Sequence, residues 1–127
     1  MKTSKINLQA CINWMWTELK VVNSQVADDH KDAKKDFHHF LTWGDAACGR
    51  VAYQKWLNIY IGEAKRALVT STVEEIVNLW ASLLLRERCY SVKSSGIMGN
   101  VMENYDITAR AKIISEIQAA IQHGTFL

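Results

Sequence analysis

Not one proline breaks the 127 residues of this chain, and only six glycines do. Proline removes a backbone donor, and proline and glycine together supply the punctuation that strands and tight hairpins need. A chain nearly free of both is suited to long helices. The apolar residues agree. From Leu8 they recur at Cys11, Met15, Leu19, Val22 and Val26, in steps of three and four that place them on one helical face. The expectation is all-α: a single compact, bundle-like domain over residues 1–127, with five to six helices.

The first helix starts after Thr3 or Ser4, either of which can cap it. A second segment begins near Asp28 or Asp29, where charge becomes dense and Ala33, Phe37, Phe40 and Leu41 leave a narrower apolar stripe. No glycine or proline enforces that break, so a turn and a bend both fit. Thr42, Gly44 and Asp45 mark the next boundary, with Asp45 as N-cap. The helix that follows runs to about Leu68 on a face of Ala52, Tyr53, Trp56, Leu57, Tyr60, Ile61 and Ala64. Gly49 and Gly62 sit within it, each costing roughly 1 kcal/mol against alanine unless close packing offsets the loss.

Ser71 with Glu74, and Thr72 with Glu75, have the spacing of a capping box and open a further helix. Its face is Val73, Ile76, Val77, Trp80, Leu83 and Leu84. Leu79 and Leu85 fall outside that stripe, so the helix reads as largely enclosed. Ser94, Ser95 and Gly96 form the clearest loop. A short helix with Ile97, Met98, Val101, Met102 and Tyr105 follows. Asp106 then caps a last helix on Ile107, Ala111, Ile114, Ile117 and Ile121, ending at His123 and Gly124.

At 49% hydrophobic and 22% charged, the chain has enough apolar content to fold and is not disordered by composition. The formal charge of +2 is too small to name a partner. Six basic and six acidic side chains fall up to Asp45 and nine and seven beyond it, so neither half is a basic arm or an acidic tail. Cys11, Cys48 and Cys89 are odd in number and widely spaced, which excludes a closed disulfide framework. Polar residues interrupt the N-terminal stretch, giving no secretory h-region. The apolar run Leu79 to Leu85 is far too short to span a bilayer. The expected compartment is the reducing cytoplasm, with no membrane partner.

The densest set of candidate ligands is Asp28, Asp29, His30, Asp32, Asp36, His38 and His39, since carboxylate oxygens and imidazole nitrogens bind divalent ions. Asp36 and His39 are three apart and could address one ion, with His38 beside them. Helical di-metal bundles repeat a Glu-x-x-His pair, and no Glu-x-x-His or HExxH occurs here. Alternating Asp and Lys at helical spacing is the pattern of a solvated, ion-paired face, which is the preferred reading. The cysteines lack a C-x-x-C pair and fall on apolar faces, where thiols pack as small hydrophobes. Gly96-Ile97-Met98-Gly99 lacks the lysine and the strand of a phosphate loop. No cofactor is implied.

Arg86, Arg88 and Lys93 bunch near the end of one helix, where cations also complement the helix dipole, and Arg110 and Lys112 on the last helix would extend them. Converging on one surface with Tyr90 and Tyr105, these five would suit the phosphate backbone of a nucleic acid within a larger complex. No recognition-helix or zinc-finger motif accompanies them.

The sharpest hint is aromatic. Trp14 and Trp16 bracket Met15, and residues two apart on a helix point roughly 200° away from each other. Either the helix is buried nearly all round or it offers an indole to a partner. Ile6 opposite the core stripe, Trp43 at a loop boundary, and Phe126 and Leu127 at the C-terminus add to the apolar excess. The expected function is therefore non-catalytic: a small α-helical inhibitor, immunity-type protein or adaptor that docks on a larger protein. Trp14, Trp16 and Trp43 would be its anchors, with Asp28, Asp29, Asp32 and Asp36 as an orienting polar rim. The same surface could serve a homodimer. A nucleic-acid-binding subunit and a metal-dependent enzyme on the Asp/His segment are the alternatives.

Overall fold

A computed structural model describes the backbone of residues 3–35, 45–94 and 97–126, and the side chains of residues 8–31, 47–87 and 104–126. Four α-helices account for nearly all of it: α1 (Thr3–Lys35), α2 (Asp45–Arg66), α3 (Val73–Ser94) and α4 (Ile97–Gln122). The described residues contain no strand. The all-α expectation holds, and the described residues form four helices where the sequence suggested five to six over the chain.

Two expected boundaries, at Asp28–Asp29 and at Asp106, lie inside continuous helices, and both have the same physical cause. At Asp28 and Asp29 no glycine or proline stops the helix, and Val26 is still buried. The Asp29 carboxylate is taken up by Arg50 of α2, at 2.7 and 2.8 Å, instead of capping a new turn. Asp106 likewise lies inside α4 and pairs with Lys55 of α2 at 2.9 Å. Each aspartate has a basic partner on a neighbouring helix, so each is a cross-link and not a cap.

Two predicted termini are as the sequence reads. Thr72 Oγ1 accepts from the Glu75 amide at 3.1 Å, and Glu75 Oε1 accepts from the Thr72 amide at 3.0 Å, a complete capping box at the start of α3. At the end of α4 the Thr125 amide reaches back to the Ala120 carbonyl and the Gly124 amide to that of Ile121. Gly124 takes φ 70°, the left-handed conformation this closure needs and a side chain resists.

The Asp29–Arg50 and Trp16–Lys65 contacts set α1 antiparallel to α2. Lys55 with Asp106, and Tyr60 with Arg110, set α2 parallel to α4. The main packing runs α1 to α2, α2 to α4 and α4 to α3, while α1 touches α3 less. The core gathers where the first half of α1 meets the second half of α2 and α4 and the first half of α3. Leu8, Met15, Leu57, Ile113 and Ile117 are fully enclosed there, each worth about 1.5–3 kcal/mol of burial. The whole predicted stripe of α1 is buried, as is that of α2 except for the partly buried Trp56.

One cluster ties three helices together. Tyr60 stacks on Trp80 at a centroid distance of 4.1 Å, and the Trp80 indole donates to Glu63 at 2.7 Å. Arg110 lies 4.2 Å over Trp56, donates to the Tyr60 hydroxyl at 3.2 Å and forms an ion pair with Glu87.

Candidate functional site

Where α1 and α4 flank the first half of α2, the helices leave a cleft of about 720 Å³. Its floor is Gly49, Arg50 and Tyr53 of α2. One wall is Glu18, Val21, Val22 and Gln25 of α1, and the other is Asn104, Tyr105, Thr108, Ala109 and Lys112 of α4. A Cβ at Gly49 would meet nothing within 4 Å, so the floor faces open space there. Val22 and Ala109 are buried at the base, whereas Val21 is 53% exposed at the mouth.

The polar groups of the cleft are organised by one phenol. Tyr53 donates its hydroxyl proton to Glu18 Oε1 at 2.8 Å, and Lys112 Nζ sits 4.6 Å from the Tyr53 ring centroid. Burial, then the Glu18 carboxylate, then Glu116 drive the Tyr53 pKa well above the ordinary phenol value. At neutral pH Tyr53 therefore keeps its proton and donates a hydrogen bond to Glu18. Arg50 is already held by Asp29 in a two-pronged pair. The arrangement is a preformed concave surface that sets apolar Val21, Val22 and Ala109 beside polar side chains, of a size that accepts a bulky side chain or a small molecule.

The residues singled out in the sequence are distributed as follows. Trp14 is partly buried and packs against the core, so it is not a free anchor. Trp16 stays 39% exposed, with Lys65 Nζ 4.8 Å from its ring. One indole of the pair therefore faces inward and the other outward. Trp43, Asp36, His38, His39 and Leu127 lie outside the described residues, as does the side chain of Asp32. Asp28 is exposed, but Asp29 is 14% exposed at its side chain and committed to Arg50, so it forms no open rim. Phe126, expected at the surface, is buried in the core.

Arg110, expected in a basic surface stripe, is buried at 5% exposure among Trp56, Tyr60 and Glu87. Arg86 and Lys112 are exposed, and the side chains of Arg88 and Lys93 lie outside the described set. Among the described residues no three His, Cys, Asp or Glu side chains gather to hold a metal. No described helix is long and apolar enough to cross a membrane. Cys11 and Cys48 are free thiols, and burial pushes the Cys11 pKa up to about 12, which keeps it unreactive.

The largest correction concerns α3, which is not enclosed. Leu79 is 56%, Leu83 36% and Leu85 65% exposed.

The cleft residues were missed because they lie on the flanks of their helices, beside the apolar stripes. Glu18 and Tyr53 are 35 positions apart, and no local spacing announces their bond. For Arg110 a signal existed: it falls three after Ile107 and four before Ile114, a core-facing position. No protein family, curated protein or solved structure matches this chain.

Proposed function

We propose that the chain is a non-catalytic, cytoplasmic protein-binding module that docks on and modulates a larger protein, taking an apolar anchor side chain of that protein into the α1–α2–α4 cleft. The observation that carries this reading is the cleft itself. Its mouth leaves Val21 half in water, while Tyr53 and Glu18 are bonded to each other and Arg50 to Asp29. Pre-paired polar walls add little energy of their own but hold the cavity in shape, so an incoming side chain loses water without reorganising the site. Apolar Val21, Val22 and Ala109 beside polar Gln25, Asn104 and Thr108 give the mixed lining of protein interfaces. Trp16 stands on a different flank of α1 and supplies a secondary contact.

The nucleic-acid alternative loses Arg110 from its stripe, because that guanidinium is buried. It gains no compensating observation.

The test is affinity capture from native extract with tagged protein, after nuclease treatment, using wild type, Val21→Arg and Val69→Arg. Val69 is 75% exposed in the α2–α3 turn, away from the cleft. A stoichiometric protein held by wild type and by Val69→Arg but lost from Val21→Arg supports the reading. Retention by Val21→Arg, or loss of every partner on nuclease treatment, overturns it.

A further inference from the structure

Helix α3 carries a stripe that reads nearly the same in both directions. Glu75, Leu79, Leu83 and Arg86 follow one another in steps of four, four and three, and so share one flank, within about 80° of arc on ideal geometry. That flank faces water: Leu79 is 56% and Leu83 36% exposed, and Glu75 and Arg86 are exposed. The midpoint of Glu75 with Arg86 falls between positions 80 and 81, that of Leu79 with Leu83 at 81 and that of Asn78 with Ser82 at 80, all within half a residue of one point. A two-fold axis at that point turns the stripe onto itself with acid facing base and leucine facing leucine.

We infer that two copies of the chain pair through α3, antiparallel, about this axis. Leu79 packs on the partner's Leu83, and Glu75 faces the partner's Arg86, each contact made twice because the interface is isologous. Glu75 takes part in the capping box through Oε1, which leaves its second oxygen to accept from a guanidinium. Charge selects the orientation. Parallel pairing would set Glu75 against Glu75 and Arg86 against Arg86, and like charges across an interface exclude that register. Leu85 lies on the other flank of α3 and takes no part.

The stripe is about 16 Å long at 1.5 Å per residue. A contact of this length falls in the small, weak class of interfaces. The dimer is accordingly expected to dissociate in the range of roughly 10 µM to 1 mM. It uses none of the cleft residues and so presents two clefts at once, which raises avidity for a partner with two matching anchors.

Sedimentation velocity of the full chain from about 5 µM to about 1 mM provides the test, with Arg86→Glu and Glu75→Lys measured singly and as an equimolar mixture. Arg86→Glu opposes two acids at each end of the stripe and Glu75→Lys two bases. Each alone is therefore expected to dimerise at least tenfold more weakly than wild type. In the mixture each chain supplies what the other lacks, and the heterodimer returns to within a few-fold of wild type. Recovery also shows that both variants fold. The proposal is overturned by a wild-type chain that stays monomeric to 1 mM, by single variants as tight as wild type, or by a mixture no tighter than its components. The first of these results would leave the leucines to a different protein.

Discussion

Replacing Arg110 separates two roles that a buried arginine can have, filler and charge. Its side chain is 6% exposed, and the guanidinium is shared among Trp56, Tyr60 and Glu87. Its three buried methylenes contribute about 2 kcal/mol at ~0.8 each. The face-on contact with Trp56 adds about 1 kcal/mol in a dry setting, and the hydrogen bond to Tyr60 about 1 more. The Glu87 side chain is 57% exposed, so the ion pair is screened and adds no more than ~0.5 kcal/mol. Against these stands the cost of dehydrating a guanidinium, which removing the charge gives back. Arg110→Ala is therefore expected to lose about 2–4 kcal/mol, since it empties the stem as well. Arg110→Met refills the stem and recovers the dehydration cost, and is expected within about 1.5 kcal/mol of wild type. Urea unfolding followed by circular dichroism at 222 nm, with tryptophan fluorescence as second probe, measures both. An alanine variant within 1 kcal/mol of wild type would refute the burial of Arg110. Equal losses for alanine and methionine would show that the charge network, not the stem, stabilises the fold.

Four further outcomes follow from particular residues. A Cβ at Gly62 would meet only the end of the Arg66 side chain, at 3.6 Å, so Gly62→Ala should raise stability by about 0.5–1 kcal/mol; Gly124→Ala, at φ 70°, should lower it by about 1, both read from thermal melts. Thr72→Ala breaks the capping box and should cost about 1 kcal/mol, with amide exchange accelerated in the first turn of α3 and unchanged in α2. Cys11, Tyr53 and Tyr60 are all held protonated by burial first, so the folded state keeps protons that the unfolded chain releases. Stability contributed this way is complete below about pH 8.5, where an exposed thiol ionises, and falls progressively as pH rises above it. Denaturation midpoints from pH 7 to pH 11 check the sign, and a midpoint that rises over this range contradicts it.

Legibility in the sequence followed the range of the interaction. The stripe Leu8–Cys11–Met15–Leu19–Val22–Val26 and the capping box at Thr72 were plain, because spacing and cap chemistry are local. Aspartates misled at positions 29 and 106, since a carboxylate that caps a helix and one that reaches a basic side chain on another helix look alike in one dimension. Leu79, Leu83 and Leu85 misled in the opposite sense. Leucines in a run suggest an enclosed helix, but burial depends on which flanks the neighbours cover, and α3 packs mainly on α4. The cleft could not be read at all. It is a gap bounded by α1, α2 and α4, held by a phenol–carboxylate bond that spans 35 positions.

The reading of the cleft as a docking site is tested most directly by placing a photocrosslinking side chain at Val21 and, as control, at Val69, in cells that make the protein. The cleft account predicts a single protein adduct of defined mass from Val21, absent from Val69 and suppressed when Ala109 at the base of the cleft is replaced by tryptophan. Equal adducts from both positions, or none from Val21 while the protein still co-purifies with a partner, would contradict it.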